Sequence, residues 1–408
     1  MDVEEGHPRP LQVLHVLGNV DAKQGGSVRA TTGIAQATVI AGDRATILAT
    51  VDYETDDLSI VRSGKGVELV LKPRQRPTHY CFSLPLLCWL LRHVREYDLV
   101  EVHEFFAFPT FATWIACRLR AVPLIVHPHN SLDPYDLRKH ARFKQLLRPL
   151  LRRVLHDTRA LWLTAQLEAD RVDDFDSGTP RVITPLSVNR PEMEGDSEGF
   201  RRRHGIADDA QVVLFLGRFD PKKGLERLST AFERVHAVMP DARLVVAGAG
   251  QESYAKAIHM MLARSAASAA ILTPGFLSGT DKANAFSAAD LFVLHSDNEN
   301  FGLAVIEALH YGVPVLLSDE VYIAGELEAA GAAVIVPVYD TDELAKQLLD
   351  LLGDDKGTKS RDGQSRLAKL RANTRLAAER FLPETVARAD ASTRRRLLAT
   401  PGTWVNDD

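Results

Sequence analysis

Arg218, Lys222 and Lys223 stand in the segment RFDPKKG, directly after the apolar run VVLFLG and directly before a stretch of helical periodicity. A guanidinium and an ammonium beside the free N–H groups of a helix start make a site suited to a phosphate or diphosphate. The same composition also describes a solvated basic loop ahead of a helix. Further on, SDNENFGLAVIEALHYGVPVLLSD carries two carboxylates, Glu299 and Glu307, one ahead of an apolar helical run and one inside it. The run 301–311 is framed by Phe301 and Gly302 at its start and by Gly312 and Pro314 at its end. Leu303, Ile306 and Leu309 can form its buried stripe. Glu307 then lies about two turns beyond Glu299, and the pair can address different parts of one extended ligand whose diphosphate sits at the helix start. Singly, Glu299 reads as an acid complementing the helix dipole and Glu307 as a solvated surface charge. The basic loop shifts the combination toward a ligand.

The first half offers less specific chemistry. Gly25 and Gly26, in VDAKQGGSVRATTGIAQA, permit close approach of a backbone, and Ser27 can cap the helix that follows. HPHNSLDPY brings His127, His129 and Asp133 to the end of another apolar run. An H-x-H pair on a strand points both imidazoles one way, but no third ligand is evident and no metal is expected. VVAGAGQE holds a lone G-x-G, too little for a dinucleotide fingerprint.

These residues need strands that end where they begin. Thirteen apolar runs bounded by turn residues alternate with helical periodicity, which predicts an α/β protein with parallel sheets. Seven runs lie before the polar segment Asn189–Ile206 and six after it, so two doubly wound domains in series are expected, with ligands at the carboxyl ends of their strands. The 408 residues suffice for two cores, and the net charge of -5 gives no general pull toward nucleic acid. Three cysteines build no disulfide framework, and a reducing compartment is expected. The acidic N-terminus has no apolar signal segment, and Pro77–Leu91, the most membrane-like stretch, is too short to span a bilayer.

The motifs GRFDPKKG and ENFGLAVIEALHYGVPV resemble the G-R-x4-K-G and E-x-F-G-x4-E-A-x3-G-x-P-V patterns of glycosyltransferase family 4, the retaining group 1 glycosyltransferases. The resemblance covers nearly the whole chain. It implies the GT-B fold, two Rossmann-like domains facing a central cleft: residues 1–190 for the acceptor, 191–375 for the nucleotide sugar, and a helical segment 376–408 packing back toward the first domain. It implies transfer of a hexose-type sugar from a UDP- or GDP-sugar to a glycan or polyprenyl-diphosphate-linked acceptor in cell-envelope glycan biosynthesis, with retention and with no metal or other cofactor.

Carried over by position, Arg218 and Lys223 would neutralise the donor diphosphate. Glu299 would bind the sugar hydroxyls, helped by backbone N–H groups from Phe301, Gly302 and Leu303 beside Asn300. Glu307 would take the ribose diol, and backbone groups of Phe276 and Leu277, in PGFLS, would receive the base. Gly25 and Gly26 match the first loop. HPHNSLDPY is similar to PRGMLEPW, with His129 in place of the arginine as a sugar-side residue. Asn300 stands where glycine is usual, His295 where proline often precedes the serine, and PLSVN (185–189) replaces PNGVD. The altered loops also fit a catalytically silent scaffold, and the fold fits a nucleotide-sugar epimerase.

LRKHARFKQLLRPLLRRVL (137–155) has leucines at helical spacing, many basic residues and no acid. A basic amphipathic helix reads as a membrane-surface element, although Pro149 interrupts its periodicity. STRRRLLA (392–399) reads as a second basic patch. The expected location is cytoplasmic, with peripheral contact at the inner face of the membrane.

Overall fold

The computed structural model describes residues 9–22, 26–138, 141–172, 178–353 and 365–400. Its contacts divide into two units, Met1–Ser187 with Phe381–Asp408, and Val188–Arg380.

The first unit holds β1 (Gln12–Leu17), β2 (Arg44–Val51), β3 (Glu68–Pro73), β4 (Leu99–His103), β5 (Leu124–His127), β6 (Ala160–Leu163) and β7 (Arg181–Ile183). They form one parallel sheet in the order β3-β2-β1-β4-β5-β6-β7. The second holds β8 (Val212–Leu216), β9 (Arg243–Ala247), β10 (Ile271–Gly275), β11 (Leu291–Leu294), β12 (Val315–Ser318) and β13 (Ala333–Val336). These are ordered β10-β9-β8-β11-β12-β13, again all parallel. All thirteen expected strands are present. In each sheet the strand order reverses at one point, between β1 and β4 and between β8 and β11, which is where such sheets bind ligands.

Because helices cover both faces, parallel strands are apolar throughout. Val212, Val213, Leu214 and Phe215 of β8 are all buried, as are Leu225, Leu228, Phe232 and Val235 of the helix Leu225–Val238 that follows. The first sheet breaks this rule on one face, where His15, Glu101, His103 and His127 are buried instead. The C-terminal helix Pro383–Ala399 belongs to this unit. It packs against the helix Gly26–Ile40 and sends Leu397 and Leu398 onto Leu99, Ile125 and Trp162.

Two expectations about basic segments change here. Pro149 does not break its helix, which runs from Ala141 to His156; Leu151, Val154 and Leu155 face the core while Leu146 stays 77% exposed. STRRRLLA is no surface patch: Arg394 is fully buried against Glu101, and Arg395 pairs with Asp43 at 2.7 Å. Buried Val386, Ala387, Asp390, Ala391 and Arg394 follow the helical period, so the two charged residues occupy core positions. No helix among the described residues is long and apolar enough to cross a membrane.

Candidate functional site

In the second unit the charged residues gather at the reversal between β8 and β11. After β8 the chain passes Arg218, turns through the short helix Pro221–Lys223 and enters the next helix at Gly224. Asp220 caps the turn by accepting from the Lys222 N–H at 3.2 Å. Gly224 has φ +63°, and a Cβ there would lie 2.2 Å from the His295 carbonyl, so only glycine fits. This close approach, with the Asp297 N–H donating to the Lys222 carbonyl at 2.7 Å, seams the basic loop to the loop after β11. Lys223 thereby meets Glu299 in a short ion pair.

Burial favours the neutral carboxyl of Glu299, but Lys223 and Lys222, together with the Gly302 N–H, hold its pKa below the usual carboxylate range. A pairing with Val321 and two backbone hydrogen bonds, to Glu320 and from Tyr322, fix the Glu299 main chain. Asn298 is buried and donates to the Tyr322 hydroxyl at 3.0 Å. The helix begins at Leu303, two residues later than the apolar run suggests, because Gly302 takes φ +73° as its N-cap and Phe301 is buried ahead of it. Asn300 is half-buried between them.

Glu307, near the middle of the helix Leu303–His310, pairs with Lys282 at 2.7 Å. Lys282, on the helix Gly279–Ala288, was not expected; its partner lies twenty-five positions away, and no local pattern announces it. Phe276 and Leu277 lead from β10 into that helix, Phe276 exposed and Leu277 half-buried. Arg218 is exposed and pairs with Asp220 of its own loop at 3.4 Å rather than with either glutamate. Arg227 and Asp297, also unforeseen, form a short ion pair, and Arg227 donates to the His295 carbonyl at 3.2 Å. Burial and that guanidinium push the pKa of His295 down to about 4, so the residue in the usual proline position is neutral.

In the first unit Gly25 lies outside the described residues. Gly26 opens the helix Gly26–Ile40 with no atom within 4 Å of where a Cβ would stand. Ser27 lies in the first turn instead of capping it, and its side chain bonds the buried carboxyl of Glu104, whose pKa burial pushes up. His129 follows β5 with φ +48°. The H-x-H pair does have a third imidazole beside it: His103, cross-strand from His127, lies with Nδ1 2.9 Å from His129 Nε2. A polar residue closing β4 beside another closing β5 was the overlooked signal. Asp133 takes no part, accepting from the Tyr135 N–H at 2.7 Å.

Residues 196–371 match the family model for group 1 glycosyl transferases, and residues 25–187 match that for the glycosyl transferase 4-like domain. The chain belongs to the group 1 glycosyltransferases. Its relatives in that family include the phosphatidyl-myo-inositol mannosyltransferase of Mycolicibacterium smegmatis, 32% identical over 64% of this chain and 64% of that protein. Another is the alpha-monoglucosyldiacylglycerol synthase of Streptococcus pneumoniae, 24% identical over 64% of this chain and 65% of that one. The chain therefore matches a little under two thirds of each relative's length. Anabaena HepE, solved in complex with UDP, superposes with a TM-score of 0.76 at 18% identity, covering 95% of this chain and all of that one. Sucrose-phosphate synthase from Thermosynechococcus elongatus gives the same score, at 18% identity, over 95% of this chain and 99% of its own. These likenesses establish the GT-B fold.

Proposed function

We propose that this group 1 glycosyltransferase moves a hexose from a UDP- or GDP-sugar to a glycan or lipid-linked acceptor, retaining the anomeric configuration and using no metal. The observation that carries the reading is the Lys223–Glu299 ion pair ahead of the Gly302 helix start. Both glutamates of the motif are parked on lysines, Glu299 on Lys223 and Glu307 on Lys282. A diphosphate competes with Glu299 for the Lys223 ammonium. Release of that carboxylate gives the sugar hydroxyls an acceptor, while Glu307 takes the ribose diol.

Arg218 is exposed on the same loop and completes the charge on the phosphates. N–H groups from Phe301, Gly302 and Leu303, beside Asn300, serve the sugar; Phe276 and Leu277 receive the base. As the C1–O bond to the β-phosphate breaks, the acceptor oxygen bonds to C1 on the same face, and its proton passes to the departing phosphate. The cations stabilise charge where it develops, in the place a metal would otherwise fill. The names of the relatives, a phosphatidyl-myo-inositol mannosyltransferase and an alpha-monoglucosyldiacylglycerol synthase, support a lipid-linked acceptor. HepE was also solved with UDP-glucose, which supports a nucleotide-sugar donor.

Calorimetry of UDP-, GDP- and ADP-sugars with EDTA present tests the donor site. The expected result is binding of one donor without metal, weakened sharply in Lys223→Ala. Binding of none, or equal binding by the variant, would overturn it, and binding without turnover of any donor would favour a silent scaffold.

A further inference from the structure

The polar face of the first sheet forms one connected network. Glu101 accepts from Arg394 through both oxygens, at 2.6 and 3.1 Å, and from His127 Nε2 at 3.0 Å. His15 Nδ1 lies 3.4 Å from the same carboxylate and 3.3 Å from His103 Nε2. His103 Nδ1 in turn lies 2.9 Å from His129 Nε2. At the inner end His15 Nε2 is 3.3 Å from the Thr38 hydroxyl, which is also 3.0 Å from the Ile34 carbonyl. His129 Nδ1 has no hydrogen-bond partner among the described residues, and His129 is the half-buried member of the chain.

A line of neutral imidazoles joined nitrogen to nitrogen has only two proton arrangements, since each ring donates from one nitrogen and accepts at the other. In one, His15 donates from Nε2 to Thr38, His103 from Nε2 to His15, and His129 from Nε2 to His103. His129 then shows a lone pair at Nδ1. In the other, every proton sits on Nδ1, the Thr38 hydroxyl turns its one proton from the Ile34 carbonyl to His15 Nε2, and His129 shows an N–H. Burial keeps the imidazoles neutral, pushing His15 and His129 down to about 3 and His103 well below its ordinary value. Glu101 breaks the symmetry. Burial opposes its charge, yet Arg394 and His127 hold it ionised, and an ionised carboxylate only accepts. A lone pair on His15 Nδ1 would face that carboxylate, so the second arrangement prevails.

We propose that Glu101, clamped by Arg394 from the C-terminal helix, is a positioning residue that acts through His15 and His103 to fix His129 as the Nδ1–H tautomer. The histidine then offers a hydrogen-bond donor to a substrate oxygen at the end of the first sheet, and no base. A carboxylate that orients an imidazole by holding its tautomer is an established physical device; here the control is relayed through two further rings.

The tautomer is read without substrate, so its outcome is independent of the donor-site reading; only the kinetic readout rests on that reading. In a ¹⁵N-imidazole long-range correlation spectrum of the full-length protein near pH 7.5, His129 is expected to carry its proton on Nδ1. A proton on Nε2 would overturn the relay, as would protein that retains one Zn²⁺ on His103, His127 and His129 after dialysis against chelator. The second arm uses Glu101→Gln together with Arg394→Met, which removes both charges and leaves neither buried alone. His129 is expected to move to, or share, the Nε2–H form, with donor KM little changed and kcat lowered about tenfold, one hydrogen bond's worth. Glu101→Asp should restore the tautomer. If the double variant melts cooperatively and keeps Nδ1–H, Glu101 does not control His129.

Discussion

Glu101 and Glu299 are both carboxylates held by a distant cation, but their surroundings differ. Glu101 lies within β4, fully buried, and receives a two-pronged Arg394 from 293 residues away, with two imidazoles beside the same oxygens. Glu299 lies in a loop ahead of a helix, retains some exposure, and meets the single ammonium of Lys223, 76 residues away. A guanidinium fork matches both oxygens of a carboxylate and locks its orientation, whereas an ammonium is a point charge that another anion can claim. The first pair is built to persist and to orient its neighbours. The second, on the function proposed above, exchanges partners.

Breaking the sealed pair on one side is the severest test of that contrast. Arg394→Leu leaves Glu101 charged and alone in the interior, a loss of about 3–5 kcal/mol, measurable by urea unfolding. The double variant Glu101→Gln with Arg394→Met should recover most of it. Equal unfolding midpoints for the two variants would contradict the pairing.

In the open cluster the effect falls on function. Glu307→Ala should raise the donor KM about tenfold, as when a ligand diol loses hydrogen bonds to a carboxylate, with the melting temperature little changed. Lys282→Ala should lower that KM or leave it unchanged, because it frees Glu307. A rise in KM on losing Lys282 would show that the lysine itself holds the ligand.

Asp390, one turn from Arg394, sharpens the comparison through pH. Burial raises its pKa from 3.8 to about 7, with Arg394 opposing and Glu101 adding to the rise. Its Oδ1 and Arg394 Nη1 are buried without hydrogen-bond partners among the described residues. The folded state therefore binds a proton that the unfolded state has lost between about pH 4 and pH 7, so stability falls as pH rises through that window. Asp390→Asn should flatten the fall, as read from unfolding midpoints at pH 5, 6, 7 and 8.

The smallest effect concerns the helix Ala141–His156. Leu146 and Leu150 are exposed one turn apart, with exposed Arg153 on the same side of the helix, an arrangement suited to an anionic bilayer. Leu146→Glu with Leu150→Glu should reduce co-sedimentation with phosphatidylglycerol-containing vesicles several-fold and leave turnover of a soluble acceptor unchanged.

Strands were legible because burial on both faces of a parallel sheet forces apolar runs that few other structures need. All thirteen appear, trimmed at their ends where β5 stops at His127 and β11 at Leu294. The motif around Glu299 and Glu307 was legible because glycine conformation, helix start and carboxylate spacing coincide within a short segment. The distant partners of Glu307, Glu101 and His129 were not. Lys282, Arg394 and His103 act between helices, across the whole chain or between sheet neighbours, and contacts made by tertiary folding leave no local period. Arg394 left one faint sign, a charge at a core position of an amphipathic helix.

The exchange of partners at Glu299 is most directly tested by slow donor hydrolysis without acceptor, followed as nucleoside diphosphate release under EDTA for wild type and Lys223→Ala. Loss of a preorganised cation at the departing diphosphate should cost roughly a hundredfold or more in rate. An unchanged rate in a variant that folds and binds donor would show that Lys223 serves only to hold Glu299 in place, and the donor site would have to be sought elsewhere.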